Sequence, residues 1–390
     1  MSWFSQVRGK WKQRWWIGLP VVVMTVVLCR YPLAERWRSF SSDRAEVRSS
    51  TVPLSRVQPE TIYPSSPPSP MPSLSISLTK IAENTTDYGS HLAFSADGHL
   101  LAVVNPAGAL YLWQDLTPWQ TRSRPGEWLD RPFFTTGDRL LVAPQIFEIK
   151  TQQWLPLPPL VSVFTADLAE GEPTGGFAVY ASAWSSDSND LVVYGEHRPS
   201  RRLGDRSTWA GPTKRLLLLE GQTRQLKAVL WQGQGSEAYR TIALHDQFIA
   251  AAAVRLRVWD RQTQKPVADL GEHTLVIHAL QWSADGSLLA SGGADQQVIL
   301  WNTRTWEVQR RWQAHLGEVK ALAFHPHNLL LVTGGEDQQI KFWSLEGKLL
   351  KTELVQGMVE GLAFNPQGDR LAVAQGGTDA SIQVYQVQVQ

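Results

Sequence analysis

From Leu74 to Gln390 the apolar residues fall into short runs of β type, separated by polar turns. The runs repeat. Residues 280–302 read LQWSADGSLLASGGADQQVILWN and residues 322–344 read LAFHPHNLLLVTGGEDQQIKFWS, and the two align without a gap at a spacing of 42. Residues 362–386 carry the same theme with two extra residues, and residues 92–114, LAFSADGHLLAVVNPAGALYLWQ, match it in length. Trp259, Trp301, Trp343 and Tyr385 are each 42 apart. A fixed period in this range, built from several short strands, predicts a β-propeller, because one such unit cannot bury its apolar face alone.

Each unit is expected to hold a strand a (LQWS), a turn of ADG type, a strand b (LLASG), a second turn, a strand c (VILWN) and a more variable strand d. The divergent units follow from spacing. FFTTGD, RLLVAPQ and IFEIK would build blade 2; YASAWSS, DLVVYGE and RLLLLEG blade 3; RTIAL, FIAAAA and RLRVWD blade 4. Landmarks of strand a then fall at Phe94, Phe134, Trp184, Leu244, Trp282, Phe324 and Phe364, which makes seven blades. The intervals are 40, 50, 60, 38, 42 and 40, so the insertions gather around blade 3. The last blade lacks chain for its own outer strand. Residues 75–83, SISLTKIAE, are expected to supply it and close the ring, since an open sheet edge invites mispairing. The fold class expected is all-β, a seven-bladed propeller over residues 74–390 behind an N-terminal hydrophobic helix and a linker.

These units resemble the WD-repeat family. Only Asp260 completes a true WD dipeptide; Asn302, Ser344 and Gln386 stand in that place elsewhere. The resemblance implies a buried hydrogen-bonded tetrad in each regular blade: a His before strand a, a Ser or Thr in strand b, an Asp in the b–c turn and the Trp of strand c. His273, Ser291, Asp295 and Trp301 match that pattern, as do His315, Thr333, Asp337 and Trp343, each 42 residues later. His273, Ser291 and Asp295 also invite a search for serine-hydrolase chemistry. A catalytic triad would not recur at the structural period with Thr in place of Ser, so the tetrads are read as structural. Blade 7 departs from the pattern, with Asp379 kept but Gly357 and Gln375 near the His and Ser places; blade 1 has Val103 and Ala107 at the Ser and Asp offsets.

The first 73 residues follow other rules. Residues 1–14 are a basic tail with Arg8, Lys10, Lys12 and Arg14. No charge occurs between Arg14 and Arg30, and the stretch WWIGLPVVVMTVVLC lies there. That order is the one found in a Sec signal or signal anchor. Residues 15–34 are therefore read as a hydrophobic signal-anchor helix. Its fifteen uncharged residues span about 22 Å as a helix, against roughly 30 Å of hydrocarbon, with Trp15, Trp16 and Arg30 able to reach the interfaces. Cleavage after Ala34 meets Pro32 at −3, and lipidation of Cys29 meets Leu28 where a small residue is wanted, so an uncleaved anchor is favoured. The positive-inside rule then expects a single-pass protein with its propeller on the periplasmic or extracytoplasmic side of a bacterial membrane, although Arg36, Arg38 and Arg44 weaken the asymmetry and leave a cytoplasmic propeller open. Residues 35–73 end in TIYPSSPPSPMP and read as a Pro/Ser-rich linker.

Charge and cysteine usage narrow the function. Residues 1–50 hold nine Lys/Arg against three Asp/Glu, or +6, which leaves 28 against 33, or −5, for the rest. An acidic body argues against nucleic acid as a partner. Cys29 is the only cysteine, which rules out an intrachain disulfide and cysteine-rich zinc or haem motifs. No cofactor is expected. His325 and His327 form an HPH turn, a weak metal pair without a carboxylate or thiol pattern beside it. The WD-repeat resemblance implies a non-catalytic scaffold that binds partner proteins. Candidate partner-binding residues are Arg201, Arg202, Arg206 and Trp209, in an insertion read over residues 198–214 that would suit an acidic partner. A second insertion is read over residues 165–179. The alternative is a propeller enzyme of lactonase, lyase or quinoprotein type, with a site at the channel built from Glu318, Lys320, Glu360 and His278.

Overall fold

The computed structural model describes residues 74–85, 89–105, 109–123, 132–134, 139–142, 145–155, 160, 176–185, 189–198, 213–233, 238–377 and 380–390. These form seven four-stranded antiparallel sheets, the blades of a propeller. Blade 1 comprises His91–Phe94, Leu100–Val104, Ala109–Gln114 and Thr117–Ser123. Blade 2 is the thinnest: Pro132–Phe134, Arg139–Val142, Gln145–Glu148 and a two-residue outer strand, Gln153–Trp154. Blade 3 is the largest: Gly176–Trp184, Asp190–Arg198, Thr213–Glu220 and Leu226–Gly233. Blade 4 holds Thr241–Leu244, Phe248–Ala252, Leu256–Asp260 and Pro266–Leu270. Blades 5 and 6 follow the 42-residue repeat: Ile277–Trp282, Leu288–Gly293, Gln297–Asn302 and Val308–Gln313, then Val319–Phe324, Leu331–Gly335, Gln339–Trp343 and Leu349–Leu354. Blade 7 takes Met358–Phe364, Arg370–Gly376 and Ser381–Val389 from the C-terminus.

Its outer strand is Ile76–Asn84, which pairs antiparallel with Ser381–Val389 from Ile76↔Val389 to Asn84↔Ile382. The ring is thus closed by main-chain hydrogen bonds between segments some 300 residues apart in sequence, as the missing fourth strand requires. Its apolar core is divided. Among the described residues seven clusters of buried side chains appear, one between each pair of adjacent blades. Between blades 5 and 6, for example, Ala290, Val298 and Leu300 pack on Leu322, Phe324 and Trp343. The landmark aromatics and aliphatics of strand a therefore fill the wedges between blades, and the inner edges of the sheets are left around a central channel.

Three boundaries read from spacing move. Gln145 begins strand c of blade 2 and is not the end of strand b. Gly176–Val179, taken as the tail of an insertion, belongs to strand a of blade 3, which is nine residues long. Arg198 ends strand b of that blade and Thr213 begins strand c, so the second insertion is shorter than 198–214. In each case the polar or Gly-rich ladder is carried by cross-strand pairing, which a one-dimensional hydropathy pattern does not register. The basic tail, the hydrophobic segment and the linker lie outside the described residues, and no helix among the described residues is long and apolar enough to cross a membrane.

Candidate functional site

The d–a connections and the b–c turns lie on one face, here the upper rim. Main-chain bonds tie them together. The b–c turn of blade 4 meets the next blade where the N–H of Ile277 donates to Ala253 O at 2.7 Å. Glu336 N–H donates to Glu318 O, and Val355 N–H to Gln338 O, both at 3.0 Å. The turns of blades 4 and 6 thus clamp the connection to the following blade, and that of blade 6 also clamps the entry to its own strand a.

The tetrads reinforce the clamp. In blade 5 His273 Nδ1 lies 2.9 Å from Asp295 Oδ2, and its Nε2 lies 2.8 Å from Ser291 Oγ. Trp301 Nε1 donates to that same Oγ at 2.9 Å. Blade 6 repeats this, with His315 Nδ1 2.8 Å from Asp337, His315 Nε2 2.6 Å from Thr333 Oγ1, and Trp343 Nε1 2.9 Å from Thr333 Oγ1. The protons follow from the donors. The indole can only donate, so each hydroxyl accepts from it; in the neutral imidazole Nδ1 carries the proton given to the carboxylate and Nε2 accepts from the hydroxyl. Burial holds the pKa of His273 and His315 below the usual His value, against the opposing pull of Asp295 and Asp337. Ser291 and Thr333 are wholly buried, and their oxygens already serve the indole and the imidazole, so neither can attack a substrate. Gly335 is required beside the tetrad, because a Cβ there would come within 2.7 Å of the His315 ring.

The same carboxylates reach the rim. Asp295 Oδ2 accepts the N–H of Thr274, and Asp337 Oδ2 that of Leu316, each at 3.0 Å. Blade 7 replaces the tetrad with Gln375, fully buried, whose Oε1 accepts the N–H of Gln356 at 3.1 Å and of Gly357 at 3.0 Å. In blade 1 the Ser place holds buried Val103, part of the apolar cluster shared with blade 7. Asp379 and Ala107 lie outside the described residues, as do Arg201, Arg202, Arg206 and Trp209.

Two features of the rim were not read from the sequence. Leu316 is 78% exposed and Leu354 73%, with Leu275 at 52% and Val254 at 43%. The signal for Leu316 was available in outline, since it directly follows the tetrad His and so must leave the core. Glu336 was also missed, although it precedes the tetrad Asp of blade 6. It joins the candidate channel residues: Lys320 Nζ lies 2.6 Å from Glu318 and 3.1 Å from Glu336, and His278 Nε2 lies 2.7 Å from Glu318. Glu360 is not drawn into that network. His278, Lys320 and Glu360 line a channel cavity of about 480 Å³ whose walls come from strand a of all seven blades. Among the described residues no group of three or more His, Cys, Asp or Glu is placed to hold a metal ion. His325 is buried on the opposite face, its ring 5.2 Å from Phe364 and 5.4 Å from His327.

The family model for the WD domain, G-beta repeat, matches residues 264–302 and 306–344. Two segments of this chain are WD40 repeats. Each begins before the outer strand of one blade and ends with strand c of the next, so the sequence repeat straddles the blades that hold the two tetrads. The chain is also similar to Fizzy-related 3 of Arabidopsis thaliana, 46% identical over 52 residues, covering 13% of this chain and 11% of that one. It is similar to human coronin-7, 32% over 57 residues, 15% of this chain and 6% of that one. It is similar to actin-interacting protein 1 of Caenorhabditis elegans, 30% over 125 residues, 31% of this chain and 18% of that one. The chain thus matches less than a fifth of the length of each of these relatives.

Proposed function

We propose that this chain is a membrane-tethered, non-catalytic scaffold that binds partner proteins through the upper rim of its propeller. The observation that carries the reading is the exposure of Leu316, on the connection into blade 6, and of Leu354, the last residue of that blade's outer strand, each next to a main-chain group that a hydrogen bond holds in place. Exposed aliphatic side chains on a preorganised frame lose apolar contact with water, and little chain entropy, when a partner covers them. One relative, actin-interacting protein 1, is by its name a protein that interacts with another protein. The uncharged stretch between Arg14 and Arg30, with basic residues before it, supports the tether. The enzyme alternative has less support: the channel-mouth groups Glu318, Lys320 and His278 contact one another.

The test is a photocrosslinking scan in the full chain, with purification from solubilised membranes. Crosslinkers at positions 316 and 354 are expected to capture discrete proteins, and crosslinkers at exposed Val267 and Val308 of outer strands are not. Capture confined to positions 267 and 308 would overturn the rim, and recovery of the chain in the soluble fraction would overturn the tether.

A further inference from the structure

The rim over blades 4 to 7 is graded in charge, and the grading starts from backbone register. In the inner strands of blades 5, 6 and 7 the pairing skips one residue: between Ile277 and Ala279, between Val319 and Ala321, and between Val359 and Gly361. His278, Lys320 and Glu360 are the skipped residues. A bulge of this kind turns one side chain out of the ladder, and all three line the channel. Arg240 stands at the corresponding place in blade 4, four residues before Leu244 as His278 stands four before Trp282.

The two middle members are occupied. Lys320 sits between Glu318 and Glu336, and His278 lies against Glu318. Burial keeps the His278 pKa below its ordinary value, with Lys320 adding to the effect, so it contributes little positive charge near neutrality. The outer members are unpaired: among the described residues neither Arg240 nor Glu360 has an ion pair. Toward blade 7 three carboxylates, Glu318, Glu336 and Glu360, therefore face one ammonium, Lys320. Toward blade 4 stands Arg240, while the nearby Arg255 and Arg257 both hold Asp269. The exposed aliphatics Val254, Leu275, Leu316 and Leu354 belong to the same four blades.

We propose that this rim docks one short segment of a partner protein, with aliphatic side chains over Leu275, Leu316 and Leu354, a lysine or arginine at Glu360, and an acidic residue toward Arg240. This rests on the rim-binding reading above and gives the partner its chemistry. Two opposite, unpaired charges at the ends of an apolar arc admit such a segment in one orientation only, because reversal would set like charges together.

The experiment pans a phage library of random 12-residue peptides on the purified full chain. Enriched peptides are expected to combine Leu or Ile with Lys or Arg, and to carry an acidic residue on the far side of the aliphatics. Glu360→Lys and Leu316→Asp, both at solvent-accessible positions, are expected to weaken the selected peptides roughly tenfold or more while the thermal midpoint stays unchanged. Glu360→Lys should also reselect peptides with an acidic residue in place of the basic one. Three results overturn the proposal: no consensus, a consensus without a basic residue, or binding indifferent to both variants. Proteins crosslinked at the rim in vivo whose contact segments lack this pattern would overturn the segment chemistry and leave the scaffold reading standing.

Discussion

Asp337→Ala tests the frame that holds the rim. In the folded protein Asp337 Oδ1 accepts from His315 Nδ1 at 2.8 Å, and Oδ2 accepts from the N–H of Leu316 at 3.0 Å. Removing the carboxylate leaves a donor on an imidazole that is 1% exposed, and a main-chain N–H on an exposed loop. The second can turn to water; the first cannot. An unsatisfied buried donor costs about 1–3 kcal/mol, and loss of a hydrogen bond to a charged acceptor at a wet site about 1 kcal/mol more. The expected loss is therefore about 2–4 kcal/mol, or roughly 3–6 °C in thermal midpoint for a domain of this size. Thr333→Val acts on the other side of the same ring, since Thr333 Oγ1 serves both His315 and Trp343. Because both changes strip one imidazole, the double variant should lose less than the sum of the two. Differential scanning calorimetry and urea titration measure all three. A midpoint within about 1 °C of the parent for Asp337→Ala, or additivity to within about 0.5 kcal/mol in the double variant, would refute the reasoning.

Acid should act on the parent through the same histidines. Burial depresses the pKa of His273 and His315, so the folded state binds fewer protons than the unfolded chain just below the ordinary His value of about 6.5. Their contribution is complete above about pH 6.5 and falls as the pH drops below it, by up to about 1.4 kcal/mol per unit for each ring; denaturant titrations flat between pH 7 and 5 would contradict this. Asp190, in strand b of blade 3, holds Lys227 at 2.6 Å and Arg261 of the next blade at 2.5 Å with only 9% of its side chain exposed. Asp190→Ala removes the one carboxylate shared by Lys227 and Arg261 and should cost about 1.5–3 kcal/mol by urea titration, with Asp190→Asn milder. Ile76→Asp with Leu78→Asp should open the seam, since both side chains pack on the cluster that holds Tyr385 and Val387. Faster trypsin cleavage at Lys80 and a loss of about 2 kcal/mol or more are expected; unchanged proteolysis would mean that the ring does not depend on this strand.

The regular half of the propeller was legible because it is written locally. The gapless alignment at 42 residues, the tetrad types at constant offsets and the two-glycine ends of strand b in blades 5 and 6 all lie within one blade or its neighbour. Spacing also found the divergent strands of blades 2 to 4, but not their ends, because Gly176–Val179 and Thr213–Lys214 are strand by virtue of partners rather than hydropathy. The candidate site was less legible. Glu318, Lys320, Glu360 and His278 could be named from the starts of strand a, yet the pairing of Lys320 with both Glu318 and Glu336, and the isolation of Glu360, depend on how the b–c turn of blade 6 folds over the start of its strand a.

The sequence by itself determined that the chain repeats, how many units it holds, which unit is incomplete and which buried polar groups accompany the apolar core. These are consequences of periodic burial, and periodicity survives in one dimension. Only the tertiary structure decided that Ile76–Asn84 runs antiparallel to Ser381–Val389, that the inner strands skip His278, Lys320 and Glu360, and that Leu316 and Leu354 stay in solvent. Register is set by cross-strand hydrogen bonds, and exposure by what the neighbouring blades fail to cover. Both are properties of pairs of segments, and no single stretch of sequence contains them.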